Sequence, residues 1–151
     1  MISKSLEEYL KTMYILKNQT GNIRVTDIAE KMNCTKASVN KAVRNLKENG
    51  LINYETYGTI ELTSEGENLS KKIIETYDII YVFLKDVLNI ESKEAEKEAE
   101  KIKQAMSDNT VNQMAKYVHK VLGLNDLNCA YDINKERCRT CARSKINKKK
   151  E

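Results

Sequence analysis

The segment from Val25 to Leu62 limits the fold of this chain most strongly, because it carries the signals of two short helices, a tight turn and a hairpin in that order. The first helix, VTDIAEKM, has one apolar face, and we expect Thr26 to cap its N-terminus. Thr35 is placed to cap the second helix, and Gly50 is placed to end it. Helix, turn, helix and hairpin in this order predict a winged helix-turn-helix.

The second helix has an apolar side and a side of bases, amides and a hydroxyl. The apolar positions recur at helical spacing: Val39, Ala42, Val43 and Leu46. The opposite side carries no acid: Lys36, Ser38, Asn40, Lys41, Arg44, Asn45 and Lys47. Cations attract phosphates, and amides match base edges in the major groove. This side is therefore predicted to read DNA, through Lys36, Ser38, Asn40, Lys41 and Arg44. The alternative is an amphipathic hairpin of helices whose polar side is only solvated.

The hairpin is predicted to run from Leu51 to Leu62 and to turn at Gly58. Glycine permits the positive φ that a tight hairpin turn needs. Wing tips commonly touch backbone phosphates, and Tyr57 is the predicted contact here. A plain hairpin without this role fits the sequence equally well.

The apolar pattern is helical on both sides of this segment. The predicted helices span residues 3–17, 64–87, 93–106 and 108–122, and their predicted caps include Thr63, Ser92 and Ser107. From Tyr77 onward the long helix is apolar over more than one stripe, which indicates a partner subunit and a homodimer. The predicted fold is mainly α: an N-terminal winged helix-turn-helix (1–63), an all-α dimerisation domain (64–123) and a basic tail with cysteines (124–151).

The composition is compatible with nucleic-acid binding, since the net charge is +4. No apolar run is long enough to cross a membrane and no signal peptide opens the chain, so we expect a cytoplasmic protein without a membrane partner. No nucleophile–base pair, carboxylate pair or phosphate-binding glycine loop is visible, and the sequence has 1 histidine. An enzyme is therefore not expected.

Between residues 3 and 122 the chain resembles the metal-dependent repressors typified by the diphtheria toxin repressor and the manganese transport regulator. The resemblance is carried by SLEEYLKTMYIL, VTDIAEKM, SVNKAVRNLKENGLI, LTSEG and KEAEKIKQAMSD. In length the chain is similar to the short, two-domain branch of that family. The resemblance implies a dimer that binds operator DNA when iron or manganese occupies a site between the reading head and the dimerisation helices.

The resemblance also implies where the metal ligands fall. The positions are Glu8, Lys11, Tyr77, Glu100, Lys103 and Gln104. Glu8 and Glu100 offer carboxylate oxygens, and Glu96 can add another. Lys11 and Lys103 have no lone pair to offer while charged, and tyrosine and glutamine at the two histidine positions are poor ligands. The sequence therefore argues against an intact Mn²⁺ or Fe²⁺ site and leaves Glu8 and Glu100 as its remnant.

Two interpretations of the lysines stay open. Lys11 and Lys103 can sit against Glu8 and Glu100, so that protein cations stand where the metal stood. Alternatively, the region is a decayed surface with ordinary i,i+3 ion pairs, each of which contributes little.

The tail holds Cys129, Cys138 and Cys141 at the spacing C-x8-C-x2-C. Neighbouring lysines and arginines favour thiolates. Three thiolates suit Zn²⁺ with His119 as a fourth ligand, or an iron–sulfur cluster with another ligand in the fourth position. Thiols without a metal in a disordered tail are the remaining alternative. Cys34, in the turn between the two short helices, is expected to be a buried structural thiol.

The predicted function is a DNA-binding transcriptional regulator, a repressor of the iron or manganese homeostasis type. It binds double-stranded operator DNA as a homodimer, with sensing moved to the cysteine tail. The alternative is a winged-helix protein-interaction module of a metal transport system, without sequence-specific DNA binding. A steep salt dependence on duplex DNA with sharp sequence preference would separate the two.

Overall fold

The computed structural model describes residues 2–55 and 58–122. Its elements are α1 (Lys4–Thr20), α2 (Val25–Met32), α3 (Lys36–Glu48), β1 (Ile52–Tyr54), β2 (Ile60–Leu62), α4 (Ser64–Val82), α5 (Ser92–Ala105) and α6 (Asp108–Val121). A wider π-helical turn, Phe83–Val87, follows α4. The chain divides into two compact units, unit 1 (Met1–Ile73) and unit 2, which begins at Ile74. The predicted class, mainly α with an N-terminal winged helix-turn-helix, is confirmed. The domain limits 1–63, 64–123 and 124–151 stay predictions.

Helix α3 begins and ends where its sequence predicts. The Thr35 hydroxyl oxygen accepts a hydrogen bond from the Ser38 backbone N–H at 3.1 Å, which satisfies a donor that the first helical turn leaves open. At the other end Gly50 has φ +72°. Its N–H donates to the Lys47 carbonyl at 3.0 Å, and the Leu51 N–H donates to the Leu46 carbonyl at 3.0 Å. This pair of bonds is the Schellman motif, which favours glycine at the left-handed position.

The wing is a short antiparallel pair in which Asn53 faces Glu61. Its second strand also receives support from the chain before α2, since the Ile60 N–H donates to the Ile23 carbonyl at 3.3 Å. The strands are shorter than the predicted arms, and the tip residues 56 and 57 lie outside the described residues.

The start of α4 is fastened to the base of the wing through Thr63. Its hydroxyl donates to the Gly50 carbonyl at 2.8 Å and accepts from the Gly66 N–H at 3.1 Å, so it is the predicted cap of this helix. The Thr63 N–H donates to the Leu51 carbonyl at 3.1 Å. Gly66 lies so close to the wing that a Cβ on it would be 2.0 Å from the Leu51 carbonyl oxygen. Only glycine fits at this position.

Two predicted caps were wrong, Thr26 by two residues and Ser92 by one. Helix α2 begins at Val25 with Arg24 as its N-cap and no side-chain cap bond, so Thr26 lies inside the helix. Helix α5 is capped by Glu91, whose carboxylate accepts from the Lys93 and Glu94 N–H groups, and Ser92 is its first residue. In both cases a residue before the predicted cap has the extended backbone of an N-cap.

The core of unit 1 is formed where α1, α2, α3 and the wing pack together. Its most deeply buried side chains are Leu10, Met13, Ile28, Val39, Val43, Leu46 and Ile52. The predicted apolar side of α3 is therefore the buried side, which leaves the basic and amide side outward.

In unit 2 most of the apolar surface of α4 is already covered within the unit. Ile79 packs with Val111 and Ala115 of α6, and Ile80 packs in the cluster that contains Ala95 and Ala99 of α5. The large apolar side chains left exposed in the described chain are Leu88, Tyr117 and Val121, at 51%, 53% and 48%. Val121, in the last turn of α6, is therefore a surface residue. Most of the additional apolar side chains of the long helix are therefore packed within unit 2. The exposed large apolar residues follow α4 in the chain.

Candidate functional site

The outward side of α3 presents the residues that the sequence assigns to DNA reading. The side chains of Lys36, Ser38, Asn40, Lys41 and Arg44 are all exposed. The first turn of the helix contains no acidic residue, and its N-terminal end carries the positive pole of the helix dipole. The acid Glu48 stands only at the far end of the helix. The arrangement is an anion-attracting surface with amide and hydroxyl groups inside it.

Some of these groups have structural tasks as well. The Ser38 hydroxyl lies 2.9 Å from the Thr35 hydroxyl, so it takes part in the capping arrangement. Lys47 donates from Nζ to the Tyr54 carbonyl at 2.8 Å, which joins the end of α3 to strand β1. Sequence reasoning placed Lys47 among the outward donors and did not anticipate this bond, because it depends on how the wing folds back. Tyr57, the predicted wing contact, lies outside the described residues.

Cys34 is half-buried against the core of unit 1. The Tyr9 hydroxyl donates to its sulfur at 3.7 Å. This hydrogen bond, with burial and the charge of the thiolate form, raises the pKa of Tyr9. The contact supports the expected structural role of this thiol.

The positions that the resemblance assigns to a metal hold ion pairs in each unit. In unit 1, Nζ of Lys11 lies 3.1 Å from a carboxylate oxygen of Glu8. In unit 2, Nζ of Lys103 lies 3.1 Å from a carboxylate oxygen of Glu100. The Lys103 side chain is only 5% exposed, whereas Glu100 is half-exposed. The predicted pairing of each lysine with its glutamate is thus present in the structure.

Tyr77, at the position of a family histidine, stands in the negative field of α5. Burial raises the pKa of its phenol to about 12, and the charges of Glu96 and Glu100 contribute to the same shift. Its ring stacks on Tyr81, with centroids 6.1 Å apart. Tyr77 is therefore a neutral phenol at physiological pH, and a neutral phenol is a weak ligand for Mn²⁺ or Fe²⁺.

These residues do not fit a divalent metal. Lys103 places an ammonium, which has no lone pair, against the carboxylate that a metal would need. Gln104 is exposed. Across residues 2–55 and 58–122, no group of three histidine, cysteine, aspartate or glutamate side chains is placed to hold an ion. The donor set is that of an internal salt bridge.

The cysteine site lies outside the described residues, since Cys129, Cys138 and Cys141 follow residue 122. His119 is described, and it is 6% exposed in unit 2. Burial lowers the pKa of its imidazole, which keeps the ring neutral. A neutral ring can bind a metal, but little of this ring faces solvent; its role as a ligand stays a prediction. Within the described ranges, no helix has the length and apolar character to cross a membrane.

Comparison with known families gives two adjacent matches. Residues 1–60 match the iron dependent repressor N-terminal DNA binding domain. Residues 63–122 match the iron dependent repressor metal binding and dimerisation domain. Together the matches cover the described chain and stop before the cysteine tail.

Individual relatives agree with these matches. An uncharacterized HTH-type transcriptional regulator of Methanocaldococcus jannaschii is 32% identical over 120 residues, which is 79% of this chain and 96% of the relative. The HTH-type transcriptional regulator MntR of Lysinibacillus sphaericus is 30% identical over 118 residues, 78% of this chain and 84% of that protein.

Solved structures show the same architecture. The manganese regulator SloR matches with a TM-score of 0.67 and 29% identity, over 78% of this chain and 55% of that chain. The metal-dependent transcriptional regulator MtsR matches with a TM-score of 0.68 and 25% identity, over 78% of this chain and 53% of that chain. This chain thus spans about half the length of these solved proteins.

Proposed function

The chain belongs to the iron-dependent repressor family, and on that premise we propose that it is a repressor that binds operator DNA as a homodimer. Its relatives are transcriptional regulators, and the chain is a regulator rather than an enzyme. The observation that carries the proposal is the outward side of α3, where a capped helix presents cations and amides next to a wing.

The exposed apolar residues of unit 2 support the homodimer. Leu88, Tyr117 and Val121 are large and each about half exposed, so a partner that covered them would bury apolar surface. Unit 2 also matches the dimerisation domain of the family. A two-fold dimer would present two α3 helices to paired half-sites on DNA.

The proposed regulon is iron or manganese homeostasis, by analogy with the family, which is described as iron dependent repressors, and with a solved relative described as a manganese regulator. The metal site of the family is largely lost in this chain, as Lys103 and Tyr77 indicate. Sensing is then assigned to Cys129, Cys138 and Cys141, which would bind an iron–sulfur cluster or Zn²⁺. Their spacing and the surrounding cations support this assignment.

Selection from a random duplex library tests the DNA-binding proposal directly. The selected duplex should bind much more tightly than unrelated DNA, with affinity that falls steeply as salt rises. Lys41→Ala and Arg44→Ala should each weaken binding by about tenfold or more. Lys97→Ala removes the same charge from an exposed position on α5 and is the matched control. Equal losses in all three variants, or no sequence preference, would favour the protein-interaction module instead.

Purification without air tests the tail. Broad visible absorption that disappears in Cys138→Ser would identify a cluster, and colourless protein with stoichiometric zinc would identify a zinc site. Protein with neither metal would contradict the sensing role of the cysteines.

A further inference from the structure

Unit 2 contains a buried charge that the proposed function does not use. Lys103 lies on the same face of α5 as Ala95 and Ala99, since the three are spaced at i, i+4 and i+8. The two alanines are fully buried. The lysine side chain is 5% exposed. A lysine is almost never buried to this extent unless its ammonium is paired.

A carboxylate faces this ammonium. Glu100, one turn before Lys103, accepts from Nζ at 3.1 Å. Glu96 lies another turn back on the same helix, and both acids act on Tyr77 of α4. The acids of α5 therefore stand near α4, where like-charged carboxylates would repel each other without a cation.

We propose that the Lys103 ammonium is the permanent cation of unit 2, which takes over the charge-balancing task of a divalent metal and makes the packing of α4 on α5 independent of metal. The consequence of this inference for DNA binding rests on the proposed function. The repressor would bind its operator without added metal. Binding of a divalent ion beside Glu100 would place that ion against a buried ammonium, and the two positive charges would repel.

The alternative interpretation is that these residues form an ordinary solvated ion pair on a surface that no longer binds metal. The burial of Lys103 distinguishes this interpretation from the proposal. An i,i+3 pair on a solvated surface contributes little, and removal of its lysine has little effect. A lysine that is 5% exposed beside a carboxylate is desolvated, so loss of its charge leaves Glu100 without its cation. The two readings therefore predict different behaviour of the same variants.

The experiment uses the full chain, treated with a chelator and then titrated with manganese chloride. Manganese binding is followed by calorimetry, thermal unfolding by circular dichroism, and operator affinity on the selected duplex. The wild type should show no saturable manganese binding at submillimolar concentration and an unchanged Tm, and the variant without the three tail cysteines should bind the operator equally well with and without chelator. Saturable manganese binding that survives removal of the three tail cysteines, or operator binding lost on chelation in that same variant, would overturn the proposal.

Lys103→Glu creates three acids at one place, and it should lower the Tm without metal and bind a single Mn²⁺ per chain that restores it. Lys97→Glu makes the same charge change on the exposed side of α5 and should do neither. If the two variants behave alike in both measurements, the ammonium has no charge-balancing role and the proposal is wrong.

Lys103→Met keeps the test decisive if Lys103→Glu does not fold. It should unfold at a lower temperature than Lys97→Met, and millimolar manganese should recover part of the difference. Equal Tm values for the two methionine variants, with no response to manganese, would overturn the proposal. These readouts require no DNA, so failure of the chain to bind any duplex would remove the proposed function and leave the result on Lys103 standing.

Discussion

Lysines on α3 and α5 meet opposite environments in this protein. Lys41 projects from α3 into solvent, where its charge is available to an anion from outside. Lys103 is buried on α5, where its charge is committed to a carboxylate of the same helix. Under the two proposals above, the same type of side chain serves recognition in unit 1 and internal charge balance in unit 2. The difference teaches that the role of a cationic side chain depends on its exposure. The local sequence around the residue predicts that exposure only in part.

The largest effect is expected from a substitution in the framework that supports the exposed surface of unit 1. Gly66→Ala would place a Cβ 2.0 Å from the Leu51 carbonyl oxygen, so the wing and α4 must separate. We expect a loss of about 3 kcal/mol in the free energy of unfolding, at the upper end of the cost of overpacking, together with loss of operator binding. Chemical denaturation and DNA titration measure the two effects.

Gly21→Ala is the matched control for that substitution. Its Cβ would meet nothing within 4 Å, although its φ of +79° strains an alanine. The expected cost is about 1 kcal/mol. If Gly66→Ala were no more destabilising than Gly21→Ala, the close approach of α4 to Leu51 would not hold.

Each unit contains a helix N-cap of the same design, so the two caps allow the units to be compared directly. Thr35 accepts from the Ser38 N–H at 3.1 Å, and Ser107 accepts from the Thr110 N–H at 3.2 Å. Thr35→Ala and Ser107→Ala should each lower the free energy of unfolding by about 1 kcal/mol. Only Thr35→Ala should also weaken operator binding, by several-fold, because it loosens the first turn of α3.

Equal effects of the two cap variants on DNA affinity would contradict this separation. In that case operator binding would follow global stability rather than the order of α3, and the assignment of its first turn to recognition would have to be withdrawn.

The smallest expected effect concerns pH and unit 2. Burial of His119 lowers its pKa in the folded state, so the unfolded chain takes up a proton first as pH falls. Stability is therefore full above the unfolded pKa of about 6.5 and declines below it, by at most about 1.4 kcal/mol per pH unit. Denaturation between about pH 7.5 and about pH 5.5 should show this decline in the wild type and not in His119→Gln. A decline of the same size in His119→Gln would assign the effect to other groups.

The sequence predicted unit 1 well because its signals are local. Caps at Thr35 and Thr63 and the glycine at 50 are read within a few residues, and the apolar spacing of α3 states directly which side is buried. Thr26 and Ser92 failed as caps because earlier residues, Arg24 and Glu91, took the extended backbone conformation of an N-cap. The steric need for Gly66 is invisible in sequence, since it arises from a carbonyl fifteen positions earlier in the chain.

The buried ion pair of Lys103 and Glu100 in unit 2 was predictable from the sequence only in part. The pairing of Lys103 with Glu100 follows from their spacing on a helix. The burial of Lys103 does not, because it depends on how closely α4 approaches the two alanines on the same face. The structure places Lys103 on the buried face of α5 together with Ala95 and Ala99. The face that a helix buries is set by its neighbours as well as by its own pattern.

Thr63 has a further consequence for how such a repressor can diverge. Its bonds to the Gly50 and Leu51 carbonyls close the base of the hairpin where α3 ends and α4 begins. A loop closed at its base can change in length or composition at its tip without moving its ends. The tip and α3 can therefore change independently, so that under the proposed function natural selection could adjust contacts to the DNA backbone and to the bases separately. Through these bonds Thr63 helps to keep the ends of the hairpin fixed while its tip changes.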